Sequence, residues 1–366
     1  MSRAVNKIFF FVGTTAELIK VFPVMLELKK NNIGYEIIAS GQNDILDSEL
    51  ISLYELNKPK YVLSKTNHKK SAFGLFWWTI KTLIHGSVLL AKEIPQKKNC
   101  VMVVHGDTVS TVIGALIAKK LGMKVAHIEA GLRSYNIWNP FPEELDRIIT
   151  SKVADFHFAP NQWAVDNLKK RKGVIVNTGE NTLLDSLRHA IADERLSSTF
   201  ESLAKNEYFV LVVHRQENLF DTDFIKRIMS RCIEESAKTH CVLVLHEMTR
   251  LKLEELGLIN ELKNNENITL IPRLPYFEFM KVLQGCTYMV TDGGSNQEES
   301  YYLGKPCLIL RTHTERTEGL NSNVLLSDKN DDVINRFFNE LDRYKSKDKL
   351  KAFYPSAIIA NHLEKI

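Results

Sequence analysis

Carboxylate side chains that could exchange protons follow apolar runs in the first half of the chain. Asp107 comes directly after "CVMVVHG", and Glu129 stands inside "KVAHIEA". An unpaired carboxylate within an apolar strand costs free energy, which favours a functional role for Glu129. Helix capping is the alternative for Asp107, because Thr108 follows it at a strand end. His105 and His127 could likewise serve chemistry, or they could be structural histidines of the core whose ring nitrogens are hydrogen-bonded.

A third group of charged residues lies in "PFPEELDR", which contains Glu143, Glu144 and Arg147. A proline at the first helical position and carboxylates in the first turn are ordinary features of a helix start. Glu143 and Arg147 are four residues apart, a spacing that also suits a surface ion pair. The motif alone leaves both the structural and the acid–base interpretation open.

The second half contains residue types that bind a diphosphate. His214 and Arg215 directly follow "VLVV", and adjacent cationic side chains at a strand end suit charge-assisted hydrogen bonds to phosphate. The turn Gly293-Gly294-Ser295 opens a helical stretch, and glycine-rich turns at a helix N-terminus cradle anions. Such turns are common, so this one supports an anion site only together with its neighbours.

A similar turn, Gly13-Thr14-Thr15, follows "FFFV" near the start of the chain and leads into a helix that carries Glu17 and Lys20. Two hydroxyls at a helix N-terminus can bind phosphate oxygens. The sequence therefore predicts a second anion site here, built without a basic residue in the turn.

The elements that must position these residues alternate between strands and helices. The predicted strands of the first half are "KIFFFVG", "YEIIAS", "CVMVVHG", "KVAHIEA", "DFHFAP" and "GVIVNTG". Those of the second half are "YFVLVVH", "CVLVLH", "NITLIP", "TYMVTDGG" and "PCLILR". Continuous apolar strands alternating with helices predict parallel sheets covered on both faces. Two such series predict an α/β protein with two Rossmann-like, doubly wound domains.

The predicted domains are residues 1–175, joined by a C-terminal helix at 354–366, and residues 180–350. A polar, helical stretch at 178–207 forms the junction. Ligands of open parallel sheets bind beyond the carboxyl ends of the strands. We therefore expect the polar strand-end residues to line a cleft that both domains face.

Length and composition are consistent with this organisation and exclude other classes. A chain of 366 residues is too long for one ordinary core. A hydrophobic content of 44% and a charged content of 25% exclude disordered and fibrous proteins. The net charge of +4 argues against a dedicated nucleic-acid binder. Five scattered cysteines without C-x-x-C spacing, and a start without a signal peptide, predict buried thiols in a cytoplasmic protein.

One segment tests the cytoplasmic assignment. Residues 73–94, "FGLFWWTIKTLIHGSVLLAKEI", are apolar and aromatic over about the length of a membrane span. Lys81, His85 and Gly86 interrupt the segment, which favours a buried or subunit-interface helix and hence a homodimer. A peripheral contact with a membrane surface is the alternative.

Eight motifs together resemble a known family. In chain order they are "HGDT", "HIEAGLRS", "PFPEELDR", "TGENTLLDSL", "HRQEN", "TDGGSNQEE", "LGKP" and "RTHTERTEG". Their order and spacing are similar to those of the UDP-N-acetylglucosamine 2-epimerases, over a range from Gly13 to about Gly319. The resemblance implies two Rossmann-like domains in the glycosyltransferase-B arrangement.

The resemblance also implies roles for residues. In the first domain, Asp107, Glu129 and Glu143 would be the acid–base carboxylates, and Lys20, Arg133 and Arg147 would position the substrate and its charges. In the second domain, Phe279 would stack on uracil, Glu299 would bind the ribose, and His214 would assist catalysis near the diphosphate. The remaining residues implied in substrate binding are Thr15, Arg215, Gly293, Gly294, Ser295 and Arg311.

The implied reaction interconverts UDP-N-acetylglucosamine and UDP-N-acetylmannosamine, or a close derivative, for surface polysaccharide synthesis such as a capsule. A hydrogen at C2 without an adjacent carbonyl is barely acidic, so its removal is coupled to loss of UDP, which then adds back. No nicotinamide or other cofactor and no metal are expected. Alternatives are a hydrolysing epimerase that releases N-acetylmannosamine and UDP, a glycosyltransferase of the same architecture, and a binding protein without turnover.

The chain departs from the family pattern at four places. The family turn G-T-R-P-E reads Gly13-Thr14-Thr15-Ala16-Glu17, which removes a guanidinium expected near the diphosphate. The family's D-S-G-G reads "DGGS", and its N-P-Y-G near the carboxyl end is replaced by "AFYPSA". The usual G-Q-H ends in Asn43, which affects the region where bacterial members build an allosteric substrate site.

Overall fold

The apolar runs form parallel strands arranged in two sheets. A computed structural model describes residues 7–46, 48–64, 72–138, 141–194, 203 and 207–366. In chain order the strands are β1 (Lys7–Val12), β2 (Tyr35–Ala39), β3 (Tyr61–Val62), β4 (Cys100–His105), β5 (Lys124–Ile128), β6 (Phe156–Ala159), β7 (Val174–Asn177), β8 (Tyr208–Val212), β9 (His240–Leu245), β10 (Ile268–Pro272), β11 (Met289–Thr291), β12 (Cys307–Ile309) and β13 (Val324–Leu326). All eleven predicted strands are present. β3 and β13 were not predicted, and both are short strands at a sheet edge.

Helices follow most strands. They are α1 (Thr15–Lys30), α2 (Glu49–Leu53), α3 (Ala72–Glu93), α4 (Val109–Lys120), α5 (Glu143–Val153), α6 (Gln162–Leu168), α7 (Leu183–Ala192), α8 (Gln216–Leu219), α9 (Thr222–Ser236), α10 (Glu247–Glu255), α11 (Ile259–Asn264), α12 (Tyr276–Gly285), α13 (Gly294–Tyr302), α14 (Asp331–Asn339) and α15 (Pro355–Leu363). Short 3₁₀ turns cover Lys97–Asn99 and Leu341–Tyr344.

The chain divides into two compact units. Unit 1 comprises Met1–Ser186 and Phe353–Ile366, and unit 2 comprises Leu187–Ala352. The sheet of unit 1 has the strand order β3-β2-β1-β4-β5-β6-β7, and that of unit 2 has the order β10-β9-β8-β11-β12-β13. Every strand pair is parallel. The predicted class, two doubly wound α/β domains with parallel sheets, is confirmed.

Burial on both sheet faces explains why the central strands are apolar at consecutive positions. In β4 all six residues are buried, and in β8 all five are buried. Helices cover both faces of a parallel sheet, so no strand face is left for polar side chains except at the strand ends. Each fully buried aliphatic or aromatic side chain contributes about 1.5–3 kcal/mol. Polar residues are therefore concentrated beyond the last residue of each strand.

The five cysteines are free and buried, as predicted. One face of α3 is buried and the other is exposed in the single chain, so the predicted subunit interface stays a prediction. Trp78 and Leu90 pack into the core, whereas the exposed apolar side chains are Phe73, Phe76, Trp77, Ile84 and Val88. By length and composition, the segment Phe73–Glu93 is apolar enough to cross a membrane, a test that core helices of soluble proteins also pass.

Candidate active site

Glu129 is the most constrained carboxylate of unit 1. It follows the last residue of β5 and adopts the left-handed backbone conformation, with φ of 63°, which is uncommon for a residue with a side chain. Only 6% of the residue is exposed. Its Oε2 accepts a hydrogen bond from Lys20 Nζ at 2.7 Å and a short one from the Asn181 side-chain amide. His105 Nε2 lies 3.9 Å from the same oxygen.

Sheet order explains why Lys20 meets Glu129, 109 residues further along the chain. Strand β4 lies between β1 and β5, so the carboxyl ends of the three strands are neighbours. Lys20 lies on the buried side of α1, which begins just beyond β1. A buried carboxylate needs such a counter-charge, because desolvation otherwise disfavours the ionised form. The structure thus brings together two separately predicted site residues, Lys20 and Glu129, and adds Asn181, which was not among them.

Arg147 connects a second group of predicted residues. Its Nε and Nη2 donate to Asp107 Oδ2 at 2.9 and 2.5 Å, and its Nη1 donates to Glu144 Oε2 at 3.3 Å. A surface pair between Glu143 and Arg147 is not formed, because Arg147 is buried and turns toward the end of β4. Asp107 is therefore an ion-pair partner of Arg147 and not the cap of α4. Thr108 is the residue whose hydroxyl caps that helix.

Glu144, which was not among the predicted site residues, anchors Arg133. Arg133 Nε donates to Glu144 Oε1 at 2.5 Å, and the Ser134 N–H donates to Oε2 at 2.8 Å. Burial raises the pKa of Glu144, but the Ser134 N–H and the Arg133 guanidinium outweigh it and hold this pKa below its ordinary value. Glu144 is therefore an ionised carboxylate that fixes both arginines.

Glu143 and Asp146 face a different environment on the same helix. Glu143 is half-buried, and its Oε2 has no hydrogen-bond partner among the residues that the structure describes. Asp146 is buried, and its Oδ2 is likewise without a partner in the described ranges. Burial, together with the charges of Asp107 and Glu143, raises the pKa of Asp146 to about 8. No local sequence signal distinguishes Asp146, because its burial and its neighbours depend on how the helix packs.

The turn before α1 is occupied by a carboxyl group of the protein itself, that of Glu17, whose pKa is raised by burial. Glu17 Oε2 accepts the N–H groups of Gly13 and Thr14 at 2.5 and 2.9 Å, and Glu17 Oε1 accepts a short hydrogen bond from the Thr108 hydroxyl. Thr14 in turn caps the helix by accepting the Glu17 N–H at 3.2 Å. The N–H groups of Gly13 and Thr14 are therefore bonded within the protein, and the predicted anion site at this turn stays a prediction. Thr15 is exposed, and its predicted contact with substrate stays a prediction.

In unit 2 a buried carboxylate organises the residues after β8. Asp292 is fully buried and accepts the N–H groups of His214 and Arg215 at 3.1 and 3.0 Å and the Asn218 side-chain amide at 3.0 Å. His214 Nδ1 lies 3.1 Å from Asp292 Oδ1. Burial raises the pKa of Asp292, but these hydrogen bonds and His214 outweigh it, so this pKa is lowered. Asp292 thus fixes the backbone that presents His214 and Arg215.

His246 stacks on His214. The two ring centroids are 4.8 Å apart and the ring planes differ by 18°. Burial and the neighbouring charges of His214 and Arg273 lower the pKa of His246 to about 4. His246 is therefore neutral at pH 7 and restricts the His214 ring through contact. His246 directly follows the last residue of β9, so the sequence pattern already places this residue at a strand end.

The glycine turn before α13 is tightly packed. A Cβ atom on Gly293 would lie 2.5 Å from Asn296 Oδ1 and 3.2 Å from His214 Cε1, so a side chain there would force Asn296 to shift and would crowd His214. A Cβ atom on Gly294 would lie 3.2 Å from Arg316 Nε. The turn is thus next to His214, as the resemblance implies. Ser295 is exposed at the start of α13.

The remaining predicted residues of unit 2 are placed on separate elements. Glu299 is buried on α13 and accepts the Asn296 side-chain amide at 2.9 Å. Arg311 is buried, and its Nη1 donates to Glu315 Oε2 at 3.2 Å. Burial raises the pKa of Glu315, but the charges of Arg311 and Arg316 outweigh it and lower this pKa to about 2. Phe279 is half-buried on α12.

Comparisons with known proteins agree with the motifs. A family model described as UDP-N-acetylglucosamine 2-epimerase matches residues 26–357. The UDP-N-acetylglucosamine 2-epimerase of Methanocaldococcus jannaschii is 34% identical over 345 residues, which cover 90% of each chain. A UDP-2,3-diacetamido-2,3-dideoxy-D-glucuronate 2-epimerase of Pseudomonas aeruginosa is 32% identical over 337 residues, again 90% of each chain.

A solved structure shows the same fold. The crystal structure of the M. jannaschii UDP-GlcNAc 2-epimerase in complex with UDP-GlcNAc and UDP superposes with a TM-score of 0.78 at 31% identity. The alignment covers 98% of this chain and 100% of that one. Sequence motifs, strand-end chemistry and whole-chain similarity therefore agree, and this chain belongs to the UDP-N-acetylglucosamine 2-epimerase family, whose members are isomerases.

Proposed function

We propose that this protein inverts C2 of UDP-N-acetylglucosamine, or of a closely related UDP-sugar, by eliminating UDP and adding it back. The buried group of Glu129, Lys20 and Asn181 at the carboxyl edge of the unit 1 sheet carries the proposal. A carboxylate held by an ammonium and an amide is an ionised base with a fixed orientation. The Pseudomonas relative, named for a modified sugar, supports a substrate class wider than UDP-N-acetylglucosamine.

In the proposed elimination, a unit 1 carboxylate takes the C2 proton while the C1–O bond breaks. The C–H electron pair forms the C1–C2 double bond of a glucal-type intermediate, and the electrons of the C1–O bond leave with UDP. In the return step a phosphate oxygen of UDP attacks C1, and a proton is delivered to C2 from the opposite face. Asp107, Glu129 and Glu143 are the proposed acid–base groups, and Lys20, Arg133 and Arg147 balance their charge.

The nucleotide is proposed to bind unit 2. His214 and Arg215 are fixed by Asp292, and Gly293 leaves room beside His214 where a side chain would collide. Cationic groups in a fixed position stabilise the charge that develops on a departing diphosphate. Phe279 and Glu299 are proposed to bind uracil and ribose, and Arg311 and Ser295 to complete the site. Formation of UDP-N-acetylmannosamine for surface polysaccharide synthesis in the cytoplasm is part of the proposal.

Proton exchange in deuterated water tests the reaction. Incubation with UDP-N-acetylglucosamine should place deuterium at C2 of the recovered UDP-sugar and produce a second UDP-sugar, both visible by proton NMR. Each turnover replaces the C2 proton, since the base equilibrates with solvent. Free N-acetylmannosamine and UDP would identify the hydrolysing variant. Absence of exchange, with transfer only to an added acceptor, would contradict the proposal in favour of a glycosyltransferase.

We also propose that the exposed face of α3 forms a homodimer interface. Its exposed apolar side chains fall on one side of the helix at 100° per residue, so two copies can pack the same face together about a two-fold axis. Lys81 and His85 are exposed next to this face, and a bilayer core would disfavour both. A second copy of the chain therefore fits this face better than lipid.

Light scattering after gel filtration tests the interface. Wild-type protein should elute with twice the chain mass of 41.9 kDa, and Trp77→Glu should convert it to monomer, because the charge would be buried without a partner. Phe220→Glu, at an exposed aromatic position in unit 2, is the control and should leave the mass unchanged. A monomeric wild type that instead floats with anionic vesicles would overturn the dimer and support the membrane alternative.

A further inference from the structure

We propose that Asp146 is a positioning residue that holds a proton at neutral pH and so keeps one neutral carboxyl beside Asp107 and Glu143. This inference rests on the proposed function, because its consequence for catalysis needs Asp107 and Glu143 to be acid–base groups. It concerns a residue that neither the motifs nor the relatives' names assign to the reaction.

The first observation is how the guanidinium donors are distributed. Arg147 directs Nε and Nη2 to Asp107 and Nη1 to Glu144, and Arg133 directs Nε to Glu144. Asp107 and Glu144 are therefore the carboxylates that accept the charge-assisted hydrogen bonds donated by Arg133 and Arg147. Asp146 lies next to Arg147 in the sequence but receives no hydrogen bond from it.

The second observation is the burial of Asp146. The residue is 6% exposed, and within the described part of the chain its Oδ2 is inaccessible to water and without a hydrogen-bond partner. Ionisation would leave Oδ2 without hydration and without a compensating hydrogen bond. A protonated carboxyl has a much smaller desolvation cost. Burial thus favours the neutral form of Asp146 before any neighbour is considered.

The third observation is the set of charged groups around it. Asp107 from the end of β4 and Glu143 from the preceding helical turn both disfavour a further negative charge, whereas Arg147 favours it. His127 of β5 is buried and interacts electrostatically with the same Arg147. Burial lowers the pKa of His127 to about 4, so this residue adds no positive charge at pH 7. The two carboxylates and burial together outweigh the one guanidinium, in agreement with a pKa of about 8 for Asp146.

A neutral Asp146 has a chemical consequence for its neighbours. Elimination and re-addition at C2 need one group that accepts a proton and one that donates a proton. Ionisation of Asp146 above pH 8 would add a negative charge beside Asp107 and Glu143, raise their proton affinity and repel the anionic substrate. Asp146 acts through these residues, so its effect should be visible in the pH dependence of the rate.

Asp146→Asn tests this role, since the amide imitates the neutral carboxyl at every pH. Wild-type kcat/KM for C2 exchange should fall above pH 8 by about tenfold per pH unit, as expected for a single ionisation. Asp146→Asn should keep the wild-type value within about twofold at pH 7 and lose the fall between pH 8 and 9.5. Asp166→Asn, a surface change in the same unit, is the control and should keep the wild-type profile.

Two results would overturn the proposal. One is an unchanged alkaline fall of kcat/KM in Asp146→Asn, and the other is an equal loss of activity at all pH values, which indicates a purely structural role.

A second measurement does not depend on turnover or on the variant's folding. Infrared difference spectra of wild-type protein labelled with ¹³C-aspartate, between pH 7 and 9, should show a protonated carboxyl band that disappears on raising the pH.

Absence of that infrared band at pH 7 would also refute a proton on Asp146. If wild-type protein shows the band but exchanges no C2 proton at any pH, the proposed function fails while the protonation of Asp146 stands. The two failures are therefore distinguishable.

Discussion

Replacing Glu129 with glutamine should lower the rate of deuterium incorporation at C2 by about 10²–10⁴-fold, the range expected for loss of a positioned base. Glutamine has nearly the same shape but cannot accept a proton at neutral pH. The change also leaves the Lys20 ammonium, which is 2.7 Å from the carboxylate, without its counter-charge. NMR exchange rates at saturating UDP-sugar measure the effect on kcat directly.

Folding must be separated from chemistry in this variant. Breaking a buried ion pair costs about 3–5 kcal/mol, so the unfolding free energy of Glu129→Gln should also fall. The double variant Lys20→Met with Glu129→Gln removes both charges and should recover part of the stability but none of the exchange. Glu36→Gln, at a surface pair with Lys60, is the matched control and should change neither quantity measurably. Full exchange in a folded Glu129→Gln protein would remove this residue from the mechanism.

Element types could be predicted from the sequence because they depend on local patterns. Continuous apolar runs give buried parallel strands, and every predicted run forms one. β3 and β13 could not be predicted in this way, since strands of two and three residues at a sheet edge carry too few apolar positions to form a run. The strand-end location of the polar residues also follows from the pattern, because both faces of each sheet are covered.

Side-chain partners could not be predicted, because they depend on which strands become neighbours. The local spacing of Glu143 and Arg147 indicates a surface pair, yet Arg147 bonds to Asp107 on a neighbouring strand end. The glycine turn at Gly13 has the pattern of an anion site. Its N–H groups instead donate to the side chain of Glu17, which has the ordinary spacing of a capping box. A local pattern therefore predicted a kind of interaction without predicting its partner.

Asp292→Asn should destabilise unit 2 by about 2–4 kcal/mol and weaken UDP binding at least tenfold. Two backbone N–H groups and one amide converge on the carboxylate, and an asparagine can offer them only one oxygen. Because folding lowers the pKa of Asp292 below its ordinary value of 3.8, its ionised form stabilises the fold at pH values above 3.8. The stability that it provides is lost only as the pH falls through the lowered pKa. Urea unfolding at pH 7 and calorimetric titration with UDP measure the two effects.

His214→Ala separates binding from stability at the same place. The His214 side chain is 34% exposed, so its removal should change the unfolding free energy far less than Asp292→Asn does. Its loss should still weaken UDP binding, because the ring that Asp292 and His246 hold in place is the proposed contact to the diphosphate. If UDP binds His214→Ala with an unchanged Kd, the diphosphate does not contact this ring. If UDP binding also survives in Asp292→Asn, the nucleotide must be held by other residues of the chain.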